Sequence, residues 1–314
     1  MPLAGLLLAD DLPGACDAAV HFALRGYRTA AALSLDHAAG IQADVLAVSL
    51  DSRDLPREEI AALFARAAAL FPPGSTRILF KKIDSTLRGS PGAEIAAARD
   101  AFGCSRVIVT PALPAMGRVV RNGQLSITYD PSFATIDVVR LLESQGLTGA
   151  TVADAATDAD LDRLAREQAG LWAGSAGLAA ALARALPAWG SPPCLGIQPA
   201  QTIFCIGSDH RVTLEQTAAL AATRPNPILR IARGVAPDLP AGPLFLCGGD
   251  TASLLCRSLG AHSIELHGEI VPGLPHGLLR GGPHDGRPVA TKSGGFGQPG
   301  DLIRVADFYS CANQ

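Results

Sequence analysis

Short apolar runs alternate with alanine-rich stretches of helical periodicity from Leu6 to about Ala185, and that alternation leaves the chain few architectures. Strands are expected at 6–9, 29–33, 45–49, 78–82, 107–110 and 150–154. Helices are expected at 15–25, 57–70, 92–102, 137–144, 158–169 and 175–184. This is the order of a doubly wound sheet. Several of the expected strands end in polar residues: Asp10-Asp11, Asp51-Ser52-Arg53, Asp84-Ser85 and Thr110-Pro111. If the strands are parallel, those ends share the rim where open α/β sheets bind ligands.

The densest rim segment is Lys81-Lys82-Ile83-Asp84-Ser85-Thr86-Leu87-Arg88-Gly89. Its mixture of cations, hydroxyls and one carboxylate suits a small polyhydroxylated anion. Arg88 can grip a carboxylate through two parallel bonds with Lys82 beside it, while Asp84 and Ser85 orient hydroxyls. A solvated loop with a capping serine has the same composition. The adjacent Asp10 and Asp11 can bind a metal, take a proton from a hydroxyl, or accept hydrogen bonds from a polyol. Asp11 can equally be a helix cap. Asp51-Ser52-Arg53 is a candidate third wall, and Arg118 a candidate contact to substrate or phosphate, with an interdomain ion pair as its alternative. Ser175 reads as the cap of the helix that follows it, or as part of a phosphate-facing helix start.

Pro187 to Pro199 is the clearest break in composition. It divides the chain into a first domain, 1–186, a linker, 187–199, and a second domain, 200–314. A linker of this kind can act as a hinge that closes a site against water. In the second domain, expected strands at 202–206, 243–246 and 289–291 each lead into a glycine-rich turn: Gly207-Ser208, Gly248-Gly249-Asp250-Thr251, and Lys292-Ser293-Gly294-Gly295. Paired glycines let backbone approach a ligand closely, and a helix start offers unpaired N–H groups to an anion. Lys292 has the charge to neutralise a polyphosphate. The stretch 268–275 reads as a run of turn formers. Neither a Gly-x-x-x-x-Gly-Lys-Ser/Thr loop nor a dinucleotide fingerprint occurs, which argues against a Walker-type site and a nicotinamide dehydrogenase.

A length of 314 residues accommodates two domains with cores of their own, and 48% hydrophobic with 18% charged residues excludes a disordered chain. A net charge of -3 gives no general attraction for nucleic acid. Seven cysteines, scattered and without a Cys-x-x-Cys pair, are expected to be reduced, which points to the cytoplasm. The first apolar run meets Asp10-Asp11 too early for a signal peptide, and no stretch is long enough for a membrane span.

Five segments, ADDLPGA at 9–15, KKIDSTLRG at 81–89, PALPAMGRVVRNGQL at 111–125, CGGDTASLL at 247–255 and KSGGFG at 292–297, resemble in this order the motif set of the four-carbon acid sugar kinases. The resemblance spans nearly the whole chain. It implies two α/β domains, each a mostly parallel sheet flanked by helices, with the active site in the interdomain cleft. It also implies ATP and Mg2+ and phosphorylation of the terminal hydroxyl of threonate, erythronate or 3-oxo-tetronate. The acid would be held by Lys82, Asp84, Ser85, Arg88 and Arg118. ATP would be held by Ser208, Gly248, Gly249, Asp250, Thr251, Lys292, Gly294 and Gly295. Asp11 or Asp10 would serve as the base, the sequence leaving that choice open. Pro13 stands where the family usually has threonine. The connection from Asp209 to Cys247 is shorter than the family pattern, so a shallow adenine pocket, a pocket completed by a second subunit, and a sugar-acid sensor without kinase activity are the alternatives to a conventional nucleotide site.

Overall fold

The computed structural model describes residues 2–130, 132–192, 196 and 198–311. Its first half runs β1 (Leu3–Ala9), α1 (Leu12–Ala23), β2 (Thr29–Ala32), α2 (Leu35–Ala38), β3 (Val45–Ser49), α3 (Arg57–Leu70), β4 (Thr76–Lys82), α4 (Pro91–Phe102), β5 (Val107–Thr110), β6 (Arg118–Arg121), β7 (Gln124–Ile127), β8 (Ile136–Asp137), α5 (Val138–Ser144), β9 (Thr151–Val152), α6 (Asp158–Leu164), β10 (Leu171–Gly174) and α7 (Ala176–Ala185). The second half runs β11 (Ile203–Ile206), α8 (Arg211–Thr223), β12 (Ile228–Arg230), β13 (Leu244–Cys247), α9 (Gly249–Ser258), β14 (Ser263–Glu269), β15 (Pro275–Arg280), β16 (Pro288–Lys292) and α10 (Asp301–Ser310). The expected α/β class holds, and most expected elements appear within a few residues of their places.

Several segments differ from expectation, among them β6, β7 and β8, which form a separate three-stranded sheet. Leu171–Gly174, read as the approach to a turn, is the buried strand β10 and lies between β4 and β5. Four residues, covered on both faces, carry no alternation to give them away. The antiparallel strands β14 and β15 are not foreseen, although the turn that joins them lies within the run of turn formers at 268–275. Helix α10 was not expected at all.

The two halves do not have separate sheets. One sheet of thirteen strands runs β12-β11-β13-β16-β15-β14-β2-β3-β1-β4-β10-β5-β9. The strands on each flank are parallel, and antiparallel β14 and β15 join the flanks, with Ser263 opposite Ala32 and Leu266 opposite Thr29 at the seam. This junction reverses polarity, so in a flat sheet the carboxyl ends of β1 and β13 would point apart. Six interstrand steps separate them, however, and at roughly 20–25° of twist per step the second flank turns by about 120–150°. Both carboxyl rims therefore face one cleft.

Helix α1 fills the angle between the flanks. Eleven of its twelve residues are buried, because it packs on α7 and β3 of its own half and on β14 and α9 of the other. Pro13 sits in its first turn, where a missing N–H leaves no intrahelical bond unmade. The start of the linker is also tied down: Tyr27 donates to the Pro187 carbonyl at 2.8 Å, and its ring stacks on Trp189 at 5.9 Å. That anchoring, together with the seam, restrains the hinge motion expected of this stretch. Pro193, Cys194, Leu195 and Ile197 of the linker lie outside the described residues.

A candidate active site between the two halves

The loops after β1, β3, β11, β13 and β16 surround a cleft of about 600 Å³. It gathers Asp10, Asp11 and Arg88 from the first half with Ser208, Gly248, Gly249, Asp250, Thr251, Gly294 and Gly295 from the second. A hollow of about 650 Å³ at the opposite ends of β13 and β16, beside Pro243 and Pro288, gathers none of these residues.

Asp11 caps α1, its Oδ1 accepting from the Gly14 amide at 2.6 Å. Arg53 clamps both aspartates: Nε donates to Asp10 Oδ2 at 2.8 Å, and Nη2 reaches Asp10 Oδ2 at 2.6 Å and Asp11 Oδ2 at 2.8 Å. The third wall expected at 51–53 is thus present. Asp51, held in the left-handed region at φ 48°, pairs with Arg257 of α9 across the cleft. Burial pushes the Asp11 carboxyl above the usual carboxylate range, and Asp10 adds to the rise while Arg53 and Lys82 oppose it. A carboxylate so placed is a better proton acceptor than a free one.

In the 81–89 loop the two lysines part company. Lys81 is fully buried and pairs with Glu94 of α4 at 3.1 Å, and Ser52 also donates to that carboxylate. Lys82 bends toward Gly14, its Nζ donating to the Ile83 carbonyl at 3.1 Å and keeping two further N–H bonds to offer. Arg88 is directed onto Asp84, with Nε to Oδ2 at 2.9 Å. Burial alone would raise the Asp84 carboxyl, but the Arg88 bonds and the Thr86 hydroxyl hold it well below the usual range. The more deeply buried cation is Arg118, only 6% exposed, which donates to Ser85 Oγ at 2.8 Å and lies 5.0 Å from the centre of the Phe296 ring. Arg118 therefore joins the acid loop to the last glycine turn by stacking rather than by an ion pair.

The three glycine turns touch one another. Gly294 lies directly against Ser208 Oγ, and Gly207 against Thr251. Gly248, at φ 109°, starts α9 with no side chain capping its first amides. Those amides face the cleft and suit an anion. A β-carbon on Gly249 would stand 3.0 Å from Asp11 Oδ2, so any larger residue there would press on that carboxylate. Lys292 points inward: its Nζ reaches Thr213 Oγ1 and the carbonyls of Ser293, Gly294 and Phe296 at 3.0–3.2 Å. Four oxygens already surround this ammonium. Its place is beneath the turn, which it shapes, rather than in the cleft. Ser175 caps α7 through the Gly177 amide, and its hydroxyl bonds the Ala112 carbonyl.

Sequence reasoning missed the Lys81–Glu94 pair, Asp17 on α1, Glu269 at the end of β14, and Phe296. Lys81, Glu269 and Phe296 lay inside segments already singled out, but without a role, while Asp17 lay in none. Among the described residues, no three His, Cys, Asp or Glu side chains are grouped so as to hold a metal ion. No helix is long and apolar enough to cross a membrane.

Residues 6–135 match a sugar-binding N-terminal domain family, and residues 214–302 match a nucleotide-binding C-terminal domain family. The chain is 32% identical to a D-threonate kinase of Bordetella bronchiseptica, over 96% of each chain. That alignment runs over 395 positions against 314 residues here, so at least 81 of them are gaps in this chain. A crystal structure from Salmonella typhimurium LT2 superposes with a TM-score of 0.78 at 20% identity, covering 98% of this chain and 100% of that one, which shows the fold. A domain from Bordetella bronchiseptica, solved with bound citrate as a domain-swapped dimer, is 31% identical over 98% of each chain with a TM-score of 0.51.

Proposed function

We propose, since this chain belongs to the four-carbon acid sugar kinase family, that it transfers the terminal phosphoryl group of ATP to the terminal hydroxyl of a four-carbon sugar acid. The observation that carries this reading is the position of Asp11 Oδ2 against Gly249, at the uncapped start of α9. An acceptor hydroxyl bound to the first half and a phosphate bound to the second meet there. Asp11 takes the hydroxyl proton as the new oxygen–phosphorus bond forms and the bond to the leaving oxygen of ADP breaks. Asp10, doubly bonded by Arg53, orients the pair. Base catalysis of this kind is worth about 10²–10⁴-fold.

The acid is held in 1–186, its carboxylate on Lys82 and Arg118 and its hydroxyls near Asp84 and Ser85, with Arg88 at the rim. The nucleotide is held in 200–314 by the first amides of α9, by Ser208 and Thr251, and by Gly294 and Gly295. Lys292 keeps that last turn in shape. The donor set suits a polyphosphate. The residues present fit Mg2+: Asp250 would help to hold it beside the nucleotide, where it would neutralise phosphate charge. Threonate, erythronate and 3-oxo-tetronate are the acids to test. The free cysteines fit a cytoplasmic setting, and the domain-swapped relative makes a second copy of this chain the partner to look for.

The test is a coupled ADP-release assay over threonate stereoisomers, erythronate and 3-oxo-tetronates. Acid-dependent ADP formation that Asp11→Asn abolishes is the expected result. One observation favours a second reading, a sugar-acid sensor: the gaps in the alignment, together with residues 231–243 between β12 and β13, which form neither helix nor strand. Calorimetry showing acid binding without nucleotide binding would select the sensor and end the kinase reading.

A further inference from the structure

Two buried polar atoms and one buried carboxylate beside the cleft have no partner among the described residues. Asp10 Oδ1 and Arg118 Nε are completely covered and make no hydrogen bond among the described residues. Asp17, 4% exposed, makes no hydrogen bond or ion pair among the described residues. Buried polar groups in native proteins are almost always satisfied, and each one left bare carries a substantial penalty. Three together, with Lys82 offering spare donors, mark a place where the missing partners come from a ligand.

The geometry defines what that ligand presents. Gly14 and Asp17 lie one turn apart on the same face of α1. A β-carbon on Gly14 would stand 2.6 Å from Asp11 Oδ1, 3.5 Å from Lys82 Nζ and 3.6 Å from Asp10 Oδ1, so only a glycine lets the ammonium and these carboxylates converge here. Arg118, near enough to lower the Asp17 carboxyl by its charge, is fixed by Ser85 on one side and Phe296 on the other. Phe296 in turn packs on Gly273, whose amide donates to Glu269 at 2.7 Å. Cations on one side and carboxylates on the other suit a molecule that is a carboxylate at one end and a hydroxyl donor next to it. Burial, which the Lys82 and Arg118 charges only partly offset, lifts the Asp17 carboxyl to about 6, consistent with a group that no protein donor stabilises.

We propose that Asp17 accepts a hydrogen bond from an internal hydroxyl of the substrate acid, and so reads the hydroxylation, and with it the configuration, of the carbons between the carboxylate and the phosphorylated end. This rests on the kinase reading for the identity of the acid. Lys82 and Arg118 take the carboxylate, Asp17 takes the adjacent hydroxyl, and Asp10 Oδ1 is left for the hydroxyl nearer Asp11. The terminal oxygen is thereby placed by contacts made further along the chain.

The experiment compares kcat/KM for the best four-carbon acid with that for its 2-deoxy and 3-deoxy analogues, in the wild type, Asp17→Asn and Asp17→Ala. The wild type should disfavour one analogue by about tenfold to a hundredfold, the worth of a hydrogen bond to a charged group. Asp17→Ala should treat that analogue and the parent nearly alike, with Asn between the two, since a neutral acceptor bonds more weakly. The same discrimination in all three proteins, or none in the wild type, overturns the inference. If Ala does not fold, the Asn protein carries the comparison. In parallel, the rise in unfolding temperature produced by the acid alone should shrink in the Asp17 variants. A wild type protected by the acid but inactive with ATP would remove the kinase reading and leave this subsite standing.

Discussion

Asp11 and Gly249 stand at the meeting point of two helix starts, α1 capped by the aspartate and α9 opened by the glycine, with Oδ2 of the one where a β-carbon of the other would come to 3.0 Å. Gly249→Ala should separate folding from activity. Alanine favours the helix by about 1 kcal/mol, so the unfolding temperature should hold or rise. The displaced carboxylate should lower kcat by roughly 10- to 100-fold, as small misplacements of reacting groups do. An unchanged kcat in the coupled assay would deny Asp11 its role.

Asp11 itself supplies a pH prediction. Burial and the nearby Asp10 hold its carboxyl above the ordinary range, and only the ionised form accepts a proton. The rate should therefore fall as pH drops through that raised value, at a higher pH than an exposed aspartate would give. Asp11→Asn should remove this limb along with most of the activity. A pH–rate profile of kcat is the measurement, and an acid limb that survives in Asp11→Asn would place the base elsewhere.

Lys292 distinguishes a turn-shaping lysine from a phosphate-binding one. Lys292→Met leaves the oxygens of Thr213, Ser293, Gly294 and Phe296 without their common donor, at about 1–3 kcal/mol for each one left buried and bare. The unfolding midpoint without nucleotide should drop clearly, and KM for ATP should rise with it. A variant as stable as the wild type, but weak for ATP, would return the ammonium to the cleft.

Glu269 makes a statement about stability. Burial raises its carboxyl to about 7, with the Gly273 amide opposing and Asp17 adding to the rise. The folded protein thus holds a proton that the unfolded chain releases near pH 4.5, and stability attached to this group falls as pH rises from about 4.5 to 7. Glu269→Gln should be more stable than the wild type at pH 8 and no more stable at pH 5. The comparison needs both proteins, because half-buried His21 and buried His276, each lowered to about 4 chiefly by desolvation, act in the opposite sense below pH 6.5. Equal differences at the two pH values would contradict it.

What the sequence disclosed was local. Polar residues at strand ends and glycines before helices are properties of short windows, and each is found where it was expected. Arg88 and Lys292 show the limit. Both were given ligands because they are charged and lie in loops, whereas the fold supplies each with partners of its own: Asp84 four residues away, and a ring of carbonyls made by the turn itself. Asp17 shows the converse, since a lone acid in an alanine-rich helix has no signature until the other half of the chain packs over it. The pairing of β14 with β2 was equally invisible, because it joins residues more than two hundred positions apart.

That pairing sets how the molecule comes apart. Neither flank can lose its inner edge without exposing the unpaired backbone of the other, and α1 withdraws apolar surface from both at once. Scanning calorimetry of the intact chain should accordingly record one endotherm, with a calorimetric enthalpy matching the van't Hoff value, where two hinged lobes would give two.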